Sequence, residues 1–315
     1  RVDFTDRDFS IIGAVDGQGL PLTTIIAAGA NRAIWMTGGQ SDATRLENLV
    51  VEGGEVGAGI YMENTADPGP QLINCTVRNC NWHDHGAGIR LNNAHPTLTG
   101  CRIEACVAAN RGGGAYIYNG GSMIADDCTF TTNQADDGGA FMIWDASTAD
   151  LSNCFVELNA AVEYGGGAFV RIGARLTCNN VLFRGNSNVN SGFSGGGITS
   201  FGGLVELSDC VLDDNVTTQS GGAIAAWNGG TLSLLGCELT GNTAASTSGG
   251  GLYSNGTVAV DIQNTTICNN APWTISGPWS DLGGNCISEF CDSDADGTLD
   301  CIDGCPNDPN KIEEG

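Results

Sequence analysis

The chain has 315 residues, a formal net charge of −24 and only 12 Lys plus Arg. That balance argues against nucleic acid, which needs clustered cations, and the 48 glycines lack the every-third-residue period of a collagen. No apolar run is long enough for a membrane-spanning helix, and 14 Cys suit an oxidising compartment, so an extracellular or cell-surface location is expected.

The chain opens on Arg1 and not on Met, which reads as a processed or trimmed N-terminus. Residues 9–12 and 24–26 are short apolar strands divided by the turn Asp16-Gly17-Gln18-Gly19. They read as the entry to a repeat that becomes regular further on. Taking Val50 as its anchor, the first full copy lies 27 residues before Val77, and Gly57-Ala58-Gly59-Ile60 is its glycine half.

From Cys75 to Asn270 the motif recurs, with apolar anchors at Val77, Ile103, Phe130, Val156, Phe183, Leu212, Leu239 and Ile267. The steps are 26, 27, 26, 27, 29, 27 and 28 residues, and glycine-rich turns keep the same beat, as in Gly112-Gly113-Gly114-Ala115 and Gly221-Gly222-Ala223-Ile224. Each copy holds two or three runs of β-favouring residues too short for helices. A fixed period of this length with such strands predicts one turn of a parallel β-helix per repeat. Strands would stack about 4.8 Å apart, giving a rod roughly 50 Å long. Like residues then form ladders. Asn133, Asn159, Asn186, Asn215, Asn242 and Asn270 share one position, which Cys80 and Cys106 fill in earlier coils. Cys75, Cys101, Cys128, Cys154, Cys210 and Cys237 form a second ladder, on the same inward face as the anchors by alternation. Cys80–Cys106 is the first disulfide expected, because stacked positions lie within bridging distance.

The Gly-Gly-Ala-Ile and Phe-x-x-Asn alternation, seen at Gly221-Gly222-Ala223-Ile224 and Phe130-Thr131-Thr132-Asn133, resembles the right-handed parallel β-helix repeats of pectate-lyase-like surface proteins, including the polymorphic outer-membrane proteins of chlamydiae. The resemblance covers about residues 48–270 and implies an all-β, right-handed parallel β-helix. Its implication for function is weaker, since such solenoids host enzymes and passive surface proteins alike.

After Asn270 the pattern stops, so residues 1–270 are taken as the β-helix, 271–285 as a linker or cap, and 286–315 as a tail. The tail is acidic: residues 281–315 hold ten Asp or Glu against one Lys, or −9. Its run from Cys291 through Pro306 resembles a thrombospondin type-3 calcium-binding repeat. Asp292, Asp294, Asp296, Asp300 and Asp303 occupy positions 1, 3, 5, 9 and 12 of an EF-hand-like loop, with Gly297 at the sharp turn and Thr298 offering its carbonyl. These residues are the expected Ca²⁺ ligands. Cys286, Cys291, Cys301 and Cys305 allow a zinc reading, but the interleaved carboxylates favour calcium; the four are expected to pair within the tail.

A second candidate lies just before each glycine run, where the residues are His85, Arg111, Asp137, Tyr164, Ser194, Ser220 and Ser248. If the turns stack, His83, His85, Arg111, Asp136, Asp137 and Glu163 share one strip, an acid, a base and a cation together. His85, Arg111 and Asp137 are its candidate catalytic residues. The alternative is an ordinary polar turn face. Polygalacturonase-like hydrolases carry an Arg-Ile-Lys, whereas here Arg171-Ile172 is followed by Gly173, and no turnover of acidic polysaccharides is expected. Tyr116, Tyr118, Trp144, Trp227 and Tyr253 recur on the strand after the glycines and offer a stacking surface for sugars, or simply satisfy β-propensity.

The expected protein is therefore a secreted or surface-displayed structural or adhesive module without catalysis. Its partners are other copies of itself, joined head to tail into a calcium-dependent fibre or layer, or a cell-surface polymer. The alternative is a polysaccharide lyase, hydrolase or carbohydrate-binding protein.

Overall fold

The protein is described by a computed structural model over residues 2–27, 32–53, 57–189, 194–245 and 248–301. Among these residues every regular element is a strand, and the strands form three sheets of eleven and one of seven. We number the sheets in the order a coil visits them. Sheet 1 runs from Val2–Thr5 to Ile275–Ser276, sheet 2 from Ser10–Ile12 to Ser280–Asp281, and sheet 3 from Thr23–Ile26 to Cys286–Ile287. The short sheet 4 runs from Asn81–Trp82 to Thr243–Ala244. All strand neighbours are parallel and one coil apart, as Ile103↔Phe130 and Phe130↔Val156 illustrate.

The corners explain why this sequence coils. The residue before each Cys-ladder position lies in the left-handed region, for example Asn74 (φ 49), Asp127 (φ 53) and Asn153 (φ 53). Asn, Asp and Gly enter that region at least cost, so they punctuate the coil between sheets 2 and 3. A second left-handed residue precedes each Asn-ladder position, as at Gly185 (φ 61) and Asp214 (φ 52). A third corner is the glycine run. Gly138 has φ 67, and a Cβ there would lie 2.1 Å from the Phe141 carbonyl oxygen, so only glycine fits.

The core is one column inside the tube. Val77, Ile103, Phe130, Val156, Phe183, Leu212, Leu239 and Ile267 are all buried and stacked in register. Upward the column continues through Val51 and Ile25, so the anchor of the first full coil is Val51, one residue later than the sequence spacing suggested. Downward it reaches Ile287. The segment 271–285, expected as a linker or cap, carries strands that pair with the last regular coil on sheets 1 and 2, and Cys286–Ile287 completes the rung on sheet 3. The glycine signature is lost there, but the backbone pairing persists.

Both ladders are present. Asn159 Oδ1 accepts from the backbone N and the Nδ2 of Asn133 at 2.9 and 3.0 Å, and Asn133 Nδ2 also donates to the Ile103 carbonyl at 3.0 Å. The same triplet repeats down to Asn270. Cys80 and Cys106 hold equivalent buried positions but remain thiols, against expectation. Parallel strands in register point their Cα–Cβ bonds the same way, whereas a disulfide needs them to converge. Cys106 Sγ instead lies 3.3 Å from its own coil's Glu104 carbonyl. The tail differs too. Cys286–Cys301 closes within it, but Cys291 pairs with Cys268 of the last regular coil, Cα to Cα 5.1 Å, and so ties tail to solenoid. Cys305 lies outside the described residues.

Candidate functional site

Sheet 1 alternates in and out. Its inward residues, such as Ile89, Leu91, Ile117, Phe141 and Ile143, join the core. Its outward residues Tyr116, Met142 and Phe169 form a separate buried apolar cluster, with Tyr118, Trp144, Phe201 and, from sheet 4, Tyr164 packed around them. Tyr116, Met142 and Phe169 are register neighbours on successive strands. An aromatic floor thus lies outside the tube. The outer face of a parallel sheet would otherwise meet water.

The pre-glycine strip forms one wall of this floor. His85, Arg111 and Asp137 are linked by parallel bridges, and Asp137 faces Tyr164. Backbone bonds such as Gly86 N to Arg111 O (2.7 Å) and Gly138 N to Tyr164 O (2.7 Å) hold the rungs together. The register shifts by one residue here: Ala135 pairs with Ala161 but Asp137 with Tyr164. Such a bulge re-aims side chains, and Glu163, within it, lines the same space as Asp137. Five of the six expected strip residues, His85, Arg111, Asp136, Asp137 and Glu163, surround one cavity of 190 Å³ together with Asn110. The sixth, His83, is exposed and is not among its lining residues. An adjoining cavity of 290 Å³ is lined by Asp137, Glu163, Tyr164, Phe169, Arg171, Phe201 and Trp227.

The charges in this groove are unusual for the molecule. Arg45, Arg78, Arg102, Arg175 and Arg184, away from the groove, are about half exposed and ion-paired, as Arg45 is to Glu47 at 2.7 Å and Arg184 to Asp213 at 3.0 Å. In the groove the arginines stack on rings. The Arg90 guanidinium lies 4.9 Å from the Trp82 centroid and 5.1 Å from that of Tyr118; Arg111 lies 4.3 Å, and Arg171 4.8 Å, from Trp144. Such contacts contribute about 0.5–2 kcal/mol each. Arg111 Nε also reaches Asp137 Oδ2 at 3.5 Å, while Asp137 Oδ1 is buried without a hydrogen-bond partner. Burial pushes the Asp137 carboxyl up to about 6, against the pull of Arg111 and with help from Glu163. His85 is shifted the other way: burial lowers its pKa, Asp84 opposes this, and Arg111 and Arg90 add to it. Its Nδ1 is likewise buried without a partner.

Of the aromatics foreseen, Tyr116, Tyr118, Trp144 and Trp227 belong to this floor or its cavity. Arg90, Phe169, Arg171 and Phe201 were not singled out as site residues. Their signal was the parity of the strand after each glycine run, where the second and fourth residues face outward, as in Ala168-Phe169-Val170-Arg171.

In the tail, one carboxylate oxygen each from Asp292, Asp294 and Asp296 lies within 4.8 Å of the others. Asp292 Oδ1 and Asp296 Oδ2 are buried and lack hydrogen-bond partners. Gly297 adopts φ 93, and its N donates to Asp292 Oδ2 at 2.9 Å, while Thr298 N donates to Asp296 Oδ1 at 2.7 Å. A hard cation suits such gathered acceptors. Asp300 is turned instead to Ser293, accepting from its backbone N at 2.6 Å, and Asp303 lies outside the described residues.

A repeating coil of parallel strands around one apolar column, with an aromatic and charged groove along one face, defines a β-solenoid with a candidate binding surface. The family described as "Right handed beta helix region" matches residues 32–210, more than half the chain, and the protein belongs to that family. The chain is also 25% identical over 194 residues to "Metabotropic glutamate receptor-like protein R" of Dictyostelium discoideum, covering 60% of this chain but 12% of that protein. No solved structure matches it.

Proposed function

We propose that this chain is the carbohydrate-binding β-helix of an extracellular or cell-surface protein, and that it binds without cleaving. The carrying observation is the second apolar cluster, outside the tube, whose rings line an open cavity of 290 Å³ beside charged groups. Rings with a polar rim suit sugars, whose C–H faces stack while their hydroxyls seek donors and acceptors. The periodic coil extends this surface over several rungs, which suits a linear chain.

Binding is preferred to hydrolysis for a geometric reason. Glycoside hydrolysis sets two carboxyl groups on opposite sides of the scissile bond. Here Asp136, Asp137 and Glu163 all rise from the wall at sheet 4, and the facing floor offers rings and Arg171. Two disulfides suit an oxidising location, and the name of the distant relative is that of a receptor-like protein. No helix among the described residues is long and apolar enough to cross a membrane.

The test is a glycan array probed with the folded chain, followed by an assay for new reducing or unsaturated ends. Retention of a linear glycan that Trp227→Ala abolishes, without new ends, is expected. Retention of no glycan would sink the reading, and product release lost in Asp137→Ala would convert it to an enzyme.

The tail is proposed to hold Ca²⁺ through Asp292, Asp294 and Asp296, whose gathered acceptors support it. Calorimetry should show calcium heat that Asp296→Asn weakens; absence of heat at millimolar calcium refutes the site.

A further inference from the structure

The 290 Å³ cavity has a composition that narrows the ligand further. Its rings form a connected wall. Tyr164 stacks on Phe169 with centroids 4.9 Å apart, Tyr164 and Trp227 are 6.2 Å apart, and Phe201 meets Trp227 edge-on at 4.3 Å. Asp137, Glu163 and Arg171 complete the lining beside them. Ring faces are electron-rich and attract cations, most strongly where water is excluded. The same rings already hold one cation, since the Arg171 guanidinium lies 6.0 Å from the Phe169 centroid and 5.7 Å from that of Phe201.

The acceptors point the same way. Asp137 gives Oδ2 to Arg111 but keeps Oδ1 buried and without a partner. A buried carboxylate with an unpaired oxygen is unfavourable, and a ligand cation placed beside this carboxyl offsets that. The whole chain carries −24 at neutral pH and draws cations toward its surface. An acidic sugar would have to enter past Asp136, Asp137 and Glu163, which line the groove together.

Resting on the glycan reading above, we propose that this box is a subsite for a protonated amino sugar, a glucosamine-type unit of a linear glycan. Its ammonium group meets Asp137 and Glu163, and its apolar ring face lies against Phe201 and Trp227. Arg171, which lines the same cavity against Phe169 and Phe201, limits the box to one amine.

The experiment compares a fully deacetylated glucosamine hexamer with its N-acetylated form, a neutral glucan hexamer and an oligogalacturonate, by calorimetry and tryptophan fluorescence. The glucosamine hexamer should bind about tenfold more tightly than the N-acetylated one, the worth of one charge-assisted contact. Glu163→Gln alters an exposed residue and should keep the fold, checked by circular dichroism, while reducing that preference; Asp137→Asn should remove it. Equal binding of the N-acetylated and glucosamine hexamers refutes the amino-sugar subsite and leaves the glycan groove standing. Preference for the oligogalacturonate also refutes it and assigns the site to Arg171 and Arg111. Binding of none of the four removes both proposals.

Discussion

Two ladders run down the same coils a few residues apart, one at the corner after sheet 3 and one at the corner before sheet 1. The first repeats a single residue, Asn133 to Asn270, and every described amide donates or accepts within it, as Asn186 does to Asn215 Oδ1 and to the Val156 carbonyl. The second changes at each step, from His85 to Arg111 to Asp137 to Tyr164, and leaves Asp137 Oδ1 and His85 Nδ1 buried without partners. Repetition lets a side chain be satisfied by its own copy one coil away. Variation leaves groups whose partners are not supplied by the stack. The first ladder is a stability device, and the second is where a ligand has something to satisfy.

The sharpest way to break this comparison is to substitute one member of each. Asn186→Leu strips the acceptor from the Asn159 backbone N and Nδ2 and the donor from the Val156 carbonyl. Three buried groups lose partners at about 1–3 kcal/mol each, so a loss of about 4 kcal/mol is expected in urea unfolding. Asp137→Asn, in the same coil as Asn133, removes no partner from that ladder and should not lower the urea midpoint. Equal effects from the two would erase the distinction.

Next in size is the junction of solenoid and tail. Cys268–Cys291 closes 23 residues that include strands Ile275–Ser276 and Ser280–Asp281. Cross-links over loops of this length contribute about 3 kcal/mol. Cys291→Ser should therefore lose amide-exchange protection across those strands while coils around Phe130 stay protected. The ladder thiols offer an internal control. Cys75, Cys101, Cys128 and Cys154 are buried, so alkylation of the native protein should spare them. Rapid labelling at these positions would show that the inner column is open.

Much of this was legible because a stack demands identity. The anchors and both inner ladders could be counted from the sequence, since each must fit beneath its own copy. The last coil was missed because backbone pairing, and not side-chain identity, carries it: Ile275 pairs with Leu252 and Ile287 with Ile267 without a glycine run. The disulfide from Cys291 to Cys268 was missed for the same reason, as the strand pairing brings the chain back beside the solenoid. The strip at His85, Arg111 and Asp137 was visible as a column of charge, but its opposite wall was not. Phe169 stacks between Met142 and Thr199, and Phe201 between Arg171 and Trp227, so no repeated letter flags these outward positions. Glu163 enters through a one-residue bulge that spacing registers only as a step of 27 after one of 26.

The floor of the groove supplies a smaller effect. Phe201→Ala removes one ring of the cavity wall and the partner that Trp227 meets edge-on. Ring contacts contribute about 0.5–1.5 kcal/mol beyond area, so glycan affinity should fall about tenfold with unfolding little changed. Tyr253→Ala tests the limits of the site, since Tyr253 lies on the outer face of sheet 1 but outside the cavity lining. A loss as large as that of Phe201→Ala would place the ligand further along the solenoid.

The smallest expected effect is on pH. Asp137 titrates at about 6 in the folded chain against an ordinary 3.8, because burial disfavours its charge more than Arg111 favours it. The groups facing it are Arg111, Glu163 and Arg171, with Tyr164 and His85 alongside. Its raised pKa means that the folded chain holds this proton more tightly than the unfolded chain. That contribution to stability is complete below pH 3.8 and is lost as pH rises through about 6. Ligand binding has the opposite sign. A bound cation favours the ionised carboxylate, so affinity should fall as pH drops through about 6 and level off above it. A fixed-charge ligand, such as an N-trimethylated glucosamine oligomer, isolates the protein's titration from that of the amine. Asp137→Asn should flatten the profile. A profile that falls in the same window in the variant would assign the titration to another group, and one that rises on acidification would mean that the groove binds through Arg111 once Asp137 releases it.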